Sequence, residues 1–143
     1  MRERYLIDKS ALVRRTKPAV RELFEDLHQR GLLCISGAVA MEILYSARNK
    51  TESEWIRRWL TGFEMLPCPD EVWDIALETQ REAVERGNHR ALSLADLLIA
   101  ATAQRHKATV LHYDEDYDQI SDITGHPSRW VAEPGTADLP PPP

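Results

Sequence analysis

Cysteine is scarce in this sequence, which limits the kinds of stabilising site that the chain can carry. The 143 residues include two cysteines, Cys34 and Cys68, and neither belongs to a Cys-x-x-Cys pair or a Cys/His cluster. That excludes a disulfide framework typical of small secreted domains and a zinc site built on paired thiolates. We expect both cysteines to be buried thiols, because an unpaired cysteine behaves as a small apolar side chain.

Long hydrophobic runs are absent as well. The apolar run near the N-terminus ends at Asp8 after three residues, much shorter than the core of a signal peptide. No segment approaches the run of about 18 apolar residues that a membrane span requires. The sequence therefore predicts a cytoplasmic protein that works in a reducing environment and makes no contact with membranes.

An excess of positive charge is the third feature that is missing. Lys and Arg number 18 against 23 Asp and Glu, for a net charge of −5. This excludes nucleic-acid binding through a uniformly basic surface, so a nucleic-acid partner would need a local basic patch. The length suits one folded domain. We assign residues 1–133 to that domain and residues 134–143 to a proline-rich tail, which we expect to be frayed or extended.

Short apolar runs alternate with helical periodicity along the chain. Strands are predicted at residues 5–7, 32–35, 63–66 and 109–111 and around residues 130–131. Helices are predicted at 18–30, after Ser36 to about 48, at 51–62, at 69–87 and from residue 93, with Thr51 and Glu54 forming a capping box. Parallel strands need such crossover helices, so the predicted fold class is α/β, with a parallel sheet covered on both faces.

Four acidic residues stand where such a sheet places its functional groups, beyond the carboxyl ends of its strands. Asp8 and Asp114 follow the first and fourth predicted strands. Glu42 lies on the helix after the second strand, and Asp96 lies in the first turn of a later helix. Clustered carboxylates repel one another unless a cation neutralises them, and oxygen ligands without matched Cys or His favour Mg²⁺ or Mn²⁺. Such an ion can activate a water for phosphodiester hydrolysis.

The segments around these acids resemble the four motifs of PIN-domain ribonucleases and, more narrowly, of the VapC toxins of bacterial type II toxin–antitoxin systems. The matching segments are Leu6-Ile7-Asp8-Lys9-Ser10-Ala11-Leu12, Ala40-Met41-Glu42-Ile43, Ser93-Leu94-Ala95-Asp96-Leu97-Leu98-Ile99-Ala100-Ala101 and Leu111-His112-Tyr113-Asp114-Glu115-Asp116-Tyr117. Each motif alone is weak, but four in order with this spacing are specific. The resemblance spans about residues 4 to 131.

This resemblance implies a three-layer fold with a mainly parallel central sheet of about five strands, and a metal-dependent endoribonuclease that inhibits translation. It implies that the four acids hold Mg²⁺ or Mn²⁺, with Asp116 as an additional acidic position. Ser10 matches a hydroxyl residue suited to bind a carboxylate or a metal-bound water. The implied partners are an RNA substrate and a small VapB antitoxin that covers the active site. The resemblance also implies a homodimer and a toxin–antitoxin hetero-oligomer.

Other interpretations of the same residues stay open. Asp96 with Ser93 has the form of a capping box and could serve only the helix N-terminus, while Glu42 could lie on a solvated helix face. A calcium loop is excluded, because Gln119 stands where Gly is needed and Gly125 where Glu is needed. Two functional alternatives remain: a different Mg²⁺-dependent phosphotransfer domain and a catalytically silent binding module with the PIN fold.

Basic residues flank two of the acidic positions. Arg14 and Arg15 follow the first strand, and Arg48 and Lys50 follow the helix that carries Glu42. We predict that these residues, together with Ser10, contact RNA at the rim of the site, although basic residues near helix ends are also common without such a role.

Two tryptophans form an apolar stripe on one predicted helix. Trp55 and Trp59 lie four residues apart and therefore share a face. That face suits either the protein core or a groove that receives a second copy or an antitoxin.

Overall fold

The computed structural model describes residues 3–140, and its centre is a five-stranded sheet. The strands are β1 (Tyr5–Ile7), β2 (Leu33–Ser36), β3 (Glu64–Leu66), β4 (Thr109–His112) and β5 (Ser128–Trp130). They lie in the order β3-β2-β1-β4-β5, and every neighbouring pair is parallel. The predicted α/β class and five-stranded sheet are confirmed. The sheet is parallel throughout rather than mainly parallel.

Helices connect the strands and cover both faces of the sheet. They are α1 (Lys9–Leu12), α2 (Pro18–Gln29), α3 (Gly37–Tyr45), α4 (Lys50–Leu60), α5 (Asp70–Arg86), α6 (Leu94–His106) and α7 (Asp116–Thr124), with a short 3₁₀ helix at His89–Ala91. The sequence prediction missed α1, α7 and the 3₁₀ helix. These are short or polar segments, in which the apolar periodicity of a helix is weak.

The central strand β1 positions the functional edge of the sheet. All three of its residues are buried, and it pairs with β2 on one side and β4 on the other. Strands β2 and β3 thus lie on one side of β1, and β4 and β5 lie on the other. The strand order reverses between β1 and β4, and in parallel sheets a crevice opens beyond the strand ends at such a switch point. Asp8 and Asp114 lie on either side of this crevice, at the ends of the strands Tyr5–Ile7 and Thr109–His112.

The helix starts agree with the sequence except at α4. Ser36 and Ser93 cap α3 and α6, because their hydroxyls accept hydrogen bonds from backbone N–H groups inside those helices. At α4 the predicted capping box on Thr51 is wrong. The cap is Asn49, whose side chain accepts from the N–H of Glu52 at 2.9 Å, so the helix begins at Lys50.

The two cysteines differ in exposure, and only one of them is buried. Cys34 lies inside β2, whereas Cys68 is exposed, so the prediction of burial is wrong for Cys68. The physical reason is position: Cys68 stands between two prolines in the loop from β3 to α5, at the surface.

The C-terminal segment folds back onto the domain. Residues 134–139 form turns, Ala137 is buried, and its N–H donates to the hydroxyl of Tyr113 at 3.0 Å. The expected frayed or extended tail is therefore not met over these residues, and residues 141–143 of that tail lie outside the described part of the chain. Within residues 3–140, no helix combines the length and apolar character that a bilayer crossing requires.

Candidate active site

Asp8 is held firmly at the end of the central strand. It is 4% exposed, and its backbone N–H donates to the carbonyl of Leu111 at 2.9 Å. Oδ2 accepts from the N–H and the hydroxyl of Ser10 at 3.0 and 2.6 Å, and Oδ1 accepts from the hydroxyl of Tyr117 at 2.8 Å. Both oxygens are therefore partnered and the carboxylate is fixed in orientation. Such a buried carboxylate with both oxygens hydrogen-bonded does not suit a phospho-acceptor, whose oxygen must be accessible in order to attack a phosphoryl group.

Tyr117 links two of the predicted acids. This buried residue on α7 places its hydroxyl 2.8 Å from Asp8 Oδ1 and 3.2 Å from Asp96 Oδ1. Burial and the two carboxylates raise the pKa of Tyr117 well above its ordinary value, so the phenol stays a neutral donor. The sequence analysis assigned no role to Tyr117. The sequence indicates a role for Tyr117 only through its position at the end of the fourth motif. That position does not tell a hydroxyl that bridges two acids from an aromatic ring in the core.

Asp96 belongs to the site, although it stands in the first turn of α6. Its N–H donates to the hydroxyl of Ser93 at 3.0 Å, so Ser93 caps the helix and the Asp96 carboxylate turns to Tyr117. Burial, followed by the charges of Asp8 and Asp114, raises the pKa of Asp96 from 3.8 to about 7. Hydrogen bonds from Tyr117 and Ser93 only partly offset that rise. A purely capping role for Asp96 does not account for this arrangement.

Asp114 and Asp116 complete a tight group with Asp96. Each of the three offers a carboxylate oxygen, and these oxygens lie within 4.8 Å of one another. Asp114 Oδ1 also accepts from the N–H of Asp116 at 2.9 Å, which fixes the turn into α7. Burial, Asp114 and Glu115 raise the pKa of Asp116. No Lys or Arg of residues 3–140 forms an ion pair with these three acids. An all-oxygen group of this kind fits a hard divalent cation.

Glu42 approaches the site from α3 without joining that group. It is half-buried, and its Oε1 is buried with no hydrogen-bond partner among the described residues. Burial and the charge of Asp8 raise the pKa of Glu42, and Lys9 opposes the rise. The alternative of a solvated helix face is therefore wrong for Glu42. An unpartnered buried oxygen in an acidic site has unused capacity to accept a hydrogen bond from water.

His112 supports the loop that carries Asp114. Its ring is fully buried, with its centroid 5.0 Å from those of Tyr117 and Trp130. Nδ1 accepts from the N–H of Asp114 at 3.1 Å, so the proton of the neutral ring lies on Nε2. Burial lowers the pKa of His112, although Asp118, Asp8 and Asp114 act in the opposite direction. The imidazole is therefore a neutral acceptor that orients the Asp114 backbone.

Two of the predicted RNA-contacting residues lie beside the acids. Ser10 donates to Asp8 and accepts from the N–H of Tyr113 at 2.8 Å, which ties α1 to the loop after β4. Arg14 donates to the carbonyl of Ser10 at 2.7 Å, and its guanidinium lies 4.6 Å from the ring centroid of Tyr113. Arg14 also forms an ion pair with Asp138, at 3.1 Å from Nε to Oδ1.

The other three predicted RNA contacts lie away from the acids. Arg15 stacks over Trp59, 4.4 Å from the ring centroid, and Arg48 pairs with Glu52 at 2.9 Å. Lys50 is exposed at the start of α4. The structure does not bring these three together with the carboxylates.

Arg15 also lines an apolar groove between the turn that follows α1 and the helices α3 and α4. The groove encloses about 230 Å³, and its walls are Val13, Arg15, Ile43, Ser46, Glu52, Trp55, Ile56 and Trp59. Trp55 is 56% exposed, and its ring stacks on that of Trp59 with centroids 6.2 Å apart. The groove is thus an apolar surface with a basic side chain at one wall.

Comparisons with known proteins agree with this geometry. The PIN domain family model matches residues 5–123. Ribonuclease VapC21 of Mycobacterium tuberculosis is 41% identical over 138 residues, which is 96% of this chain and 100% of that protein. Ribonuclease VapC51 of the same organism is 37% identical over 135 residues, 94% of this chain and 98% of that protein.

Solved structures share the fold at lower identity. DNA-bound VapBC from Salmonella typhimurium matches with a TM-score of 0.74 at 17% identity, covering 92% of this chain and 100% of the other. VapBC2 from Rickettsia felis, bound to a promoter DNA fragment, matches with a TM-score of 0.73 at 18% identity, covering 88% and 97%. At these identities the likeness shows the fold alone.

Proposed function

Because this chain belongs to the PIN domain family, we propose that it is an endoribonuclease toxin of the VapC type that hydrolyses RNA phosphodiester bonds and thereby inhibits translation. Two relatives that are about 40% identical are named ribonucleases, and this chain matches nearly the whole length of each. The observation that carries the proposal is the group of Asp96, Asp114 and Asp116, with oxygens within 4.8 Å of one another at the switch point of the sheet. We place the protein in the cytoplasm.

We propose Mg²⁺ or Mn²⁺ as the cofactor, held by Asp96, Asp114 and Asp116. Oxygen-only ligands favour these ions over Zn²⁺, which prefers nitrogen and sulfur. Burial and the neighbouring carboxylates raise the pKa values of Asp96 and Asp116, and a bound cation would favour the ionised forms of both. When bound, such an ion activates a water and stabilises the leaving oxygen of a phosphodiester.

We assign Asp8 and Glu42 to the same site through water rather than as direct ligands. Both oxygens of Asp8 already accept hydrogen bonds from Ser10 and Tyr117, and neither Asp8 nor Glu42 belongs to the group of three close carboxylates. The free Oε1 of Glu42 can accept a hydrogen bond from a water beside Asp8. Their part is to orient water and to keep the site negative enough to hold a cation.

We propose that the partner is a VapB-type antitoxin, bound along the apolar groove beside the site. Structures that share this fold include VapBC complexes. The exposed Trp55 and the stacked Trp59 offer a binding face for an apolar peptide segment, and the groove lies next to the helix that carries Glu42. A homodimer that joins the antitoxin in a hetero-oligomer is part of the same proposal.

Cleavage of RNA by the purified full-length chain tests the proposed activity. Total cellular RNA would be incubated with Mg²⁺, Mn²⁺ or EDTA, and the ends of the products mapped. We expect cleavage with either ion and none with EDTA. The variants Asp96→Asn and Asp114→Asn should lose roughly 100-fold or more of the activity, because each removes a proposed metal ligand.

Asp122→Asn is the matched control, since it neutralises an exposed acid on the same helix as Asp116 but outside the group of three carboxylates. It should cleave at nearly the wild-type rate. Circular dichroism would show that all variants fold. A wild-type protein without metal-dependent cleavage, or an Asp96→Asn variant with full activity, would refute the proposal.

A further inference from the structure

Arg14 lies at the edge of the acidic site, and its guanidinium N–H groups bind two different parts of the chain. One terminal nitrogen, Nη1, donates to the carbonyl of Ser10 at 2.7 Å. The hydroxyl of Ser10 binds Asp8, so a single residue, Ser10, connects Arg14 to the buried acid. The guanidinium plane covers the ring of Tyr113, next to Asp114 in the chain. Two contacts, with the Ser10 carbonyl and the Tyr113 ring, thus hold a planar cation beside the carboxylates.

The other edge of the guanidinium binds the C-terminal segment. Nε lies 3.1 and 3.3 Å from the two oxygens of Asp138, and Nη2 lies 3.1 Å from Oδ2. The hydrogen bonds from Arg14 hold the pKa of Asp138 below its usual range, and Lys17 adds to that effect. Two parallel N–H···O bonds of this kind are the way in which arginine binds both a carboxylate and a phosphate.

The anchoring of the C-terminal segment does not depend on Asp138. Ala137 is 1% exposed and its N–H donates to the hydroxyl of Tyr113. The Asp138 side chain is 55% exposed. The carboxylate can therefore leave Arg14 while the neighbouring backbone stays in place.

We infer that Arg14 is a phosphate-binding residue for RNA beside the acidic site and that Asp138 occupies its free edge until RNA displaces it. The inference rests on the proposed ribonuclease function and adds a contact for the substrate and an internal competitor. An exposed ion pair is weak, so a phosphate can replace the carboxylate, and removing Asp138 should change RNA affinity by a modest factor.

Binding of RNA without cleavage provides the test. The probe is a fluorescein-labelled single-stranded RNA of about 12 nucleotides, and its anisotropy is followed in EDTA with the full-length wild type and variants. We expect Asp138→Asn to lower the Kd by roughly three- to fivefold. Arg14→Gln should raise the Kd by a comparable factor, and adding Asp138→Asn to Arg14→Gln should change nothing further.

Glu133→Gln is the matched charge control, because it removes one exposed acid from the same C-terminal segment. It should leave the Kd within about twofold of the wild-type value, since a distant surface charge is screened by salt. Unfolding temperatures measured for each variant separate a loss of anchoring from a change in binding.

An Asp138→Asn variant that binds RNA no more tightly than Glu133→Gln would overturn the inference, as would tighter binding that persists in the Arg14→Gln background. The proposed function fails separately. If the wild type cleaves RNA but Asp138→Asn binds RNA no more tightly, only the role of Asp138 as a competitor is contradicted. If Asp138→Asn binds more tightly but the wild type shows no metal-dependent cleavage, only the proposed nuclease activity is contradicted.

Discussion

At the scale of single residues, the site is organised around acids that no Lys or Arg of residues 3–140 neutralises through an ion pair. The hydroxyl of Tyr117 is the neutral group between Asp8 and Asp96, and it donates to oxygens 2.8 and 3.2 Å away. A phenol has one proton to donate, so it cannot fully satisfy two ionised carboxylates at once. Burial and the charges of Asp8 and Asp114 therefore raise the pKa of Asp96 to about 7, and the hydrogen bond from Tyr117 offsets only part of that rise. Without metal, this residue holds a proton at pH values where an ordinary aspartate has lost it.

The metal-free protein should therefore lose stability as the pH rises. Asp96 binds its proton more tightly in the folded protein, with a pKa of about 7, than at its ordinary value of 3.8. The folded state thus carries more protons between these values, and the free energy of unfolding falls across that window and levels off above it. We expect this residue to account for a loss on the order of 2–4 kcal/mol between about pH 4 and pH 7.

Urea unfolding in EDTA, repeated from about pH 4 to about pH 8, measures this effect against the variant Asp96→Asn. The amide does not titrate, so the variant should lack this part of the fall. The lowered pKa of His112 acts in the opposite sense below about pH 6.5, but it is common to both proteins. Parallel pH profiles for the two proteins would contradict the assignment.

At the scale of elements, α4 shows how one amphipathic helix serves both the core and the surface. Ile56 and Leu60 are buried in the core, whereas Trp55 is exposed and Trp59 is partly buried. Arg15 covers one face of Trp59 and holds its ring in place. Neither interpretation of the tryptophan stripe was sufficient alone, because the helix turns its aliphatic residues inward and its tryptophans toward the groove.

Replacement of Trp55 by alanine should weaken antitoxin binding by roughly tenfold or more, since a tryptophan at an interface commonly contributes much of the binding energy. The affinity would be measured by calorimetry against an antitoxin encoded in the neighbouring reading frame. Trp73→Ala is the control, because Trp73 on α5 is 46% exposed and does not line the groove. Equal affinities for the two variants would place the antitoxin elsewhere.

At the scale of the whole molecule, part of the acidic excess lies at one site. The net charge is −5, and Asp8, Glu42, Asp96 and Asp114 alone supply four negative charges at one edge of the sheet. A divalent cation there would offset much of the excess. The global charge that excludes a uniformly basic nucleic-acid surface is thus compatible with RNA binding at a neutralised site.

Metal binding should consequently stabilise the entire fold. A ligand that binds only the folded state at about 100 times its Kd adds roughly 2.7 kcal/mol to the free energy of unfolding. We expect Mn²⁺ to raise the Tm of the wild type and of the control Asp122→Asn at about pH 8, and EDTA to reverse the rise. Asp114→Asn should show little or no shift. An equal shift in that variant would mean that the ion binds elsewhere.

Much of the fold was predictable because its signals are local. β1 and β4 are short apolar runs, and α2, α5 and α6 carry apolar residues at helical spacing with recognisable ends. The short α1 and the polar α7 were missed, since their helical conformation depends on hydrogen bonds at Asp8 and on packing of Tyr117. The periodicity of apolar residues along the chain gives no information about such contacts.

The sequence by itself determined the candidates for the chemistry: the acids after the strands, their order, and the hydroxyl of Ser10. Only the tertiary structure decided their grouping. It placed Asp96 with Asp114 and Asp116, left Asp8 bonded to Tyr117, and brought Asp138 to Arg14 across 124 positions of chain. The reason is physical: sheet order and side-chain packing set these distances, and neither is encoded in the spacing of residues along the chain.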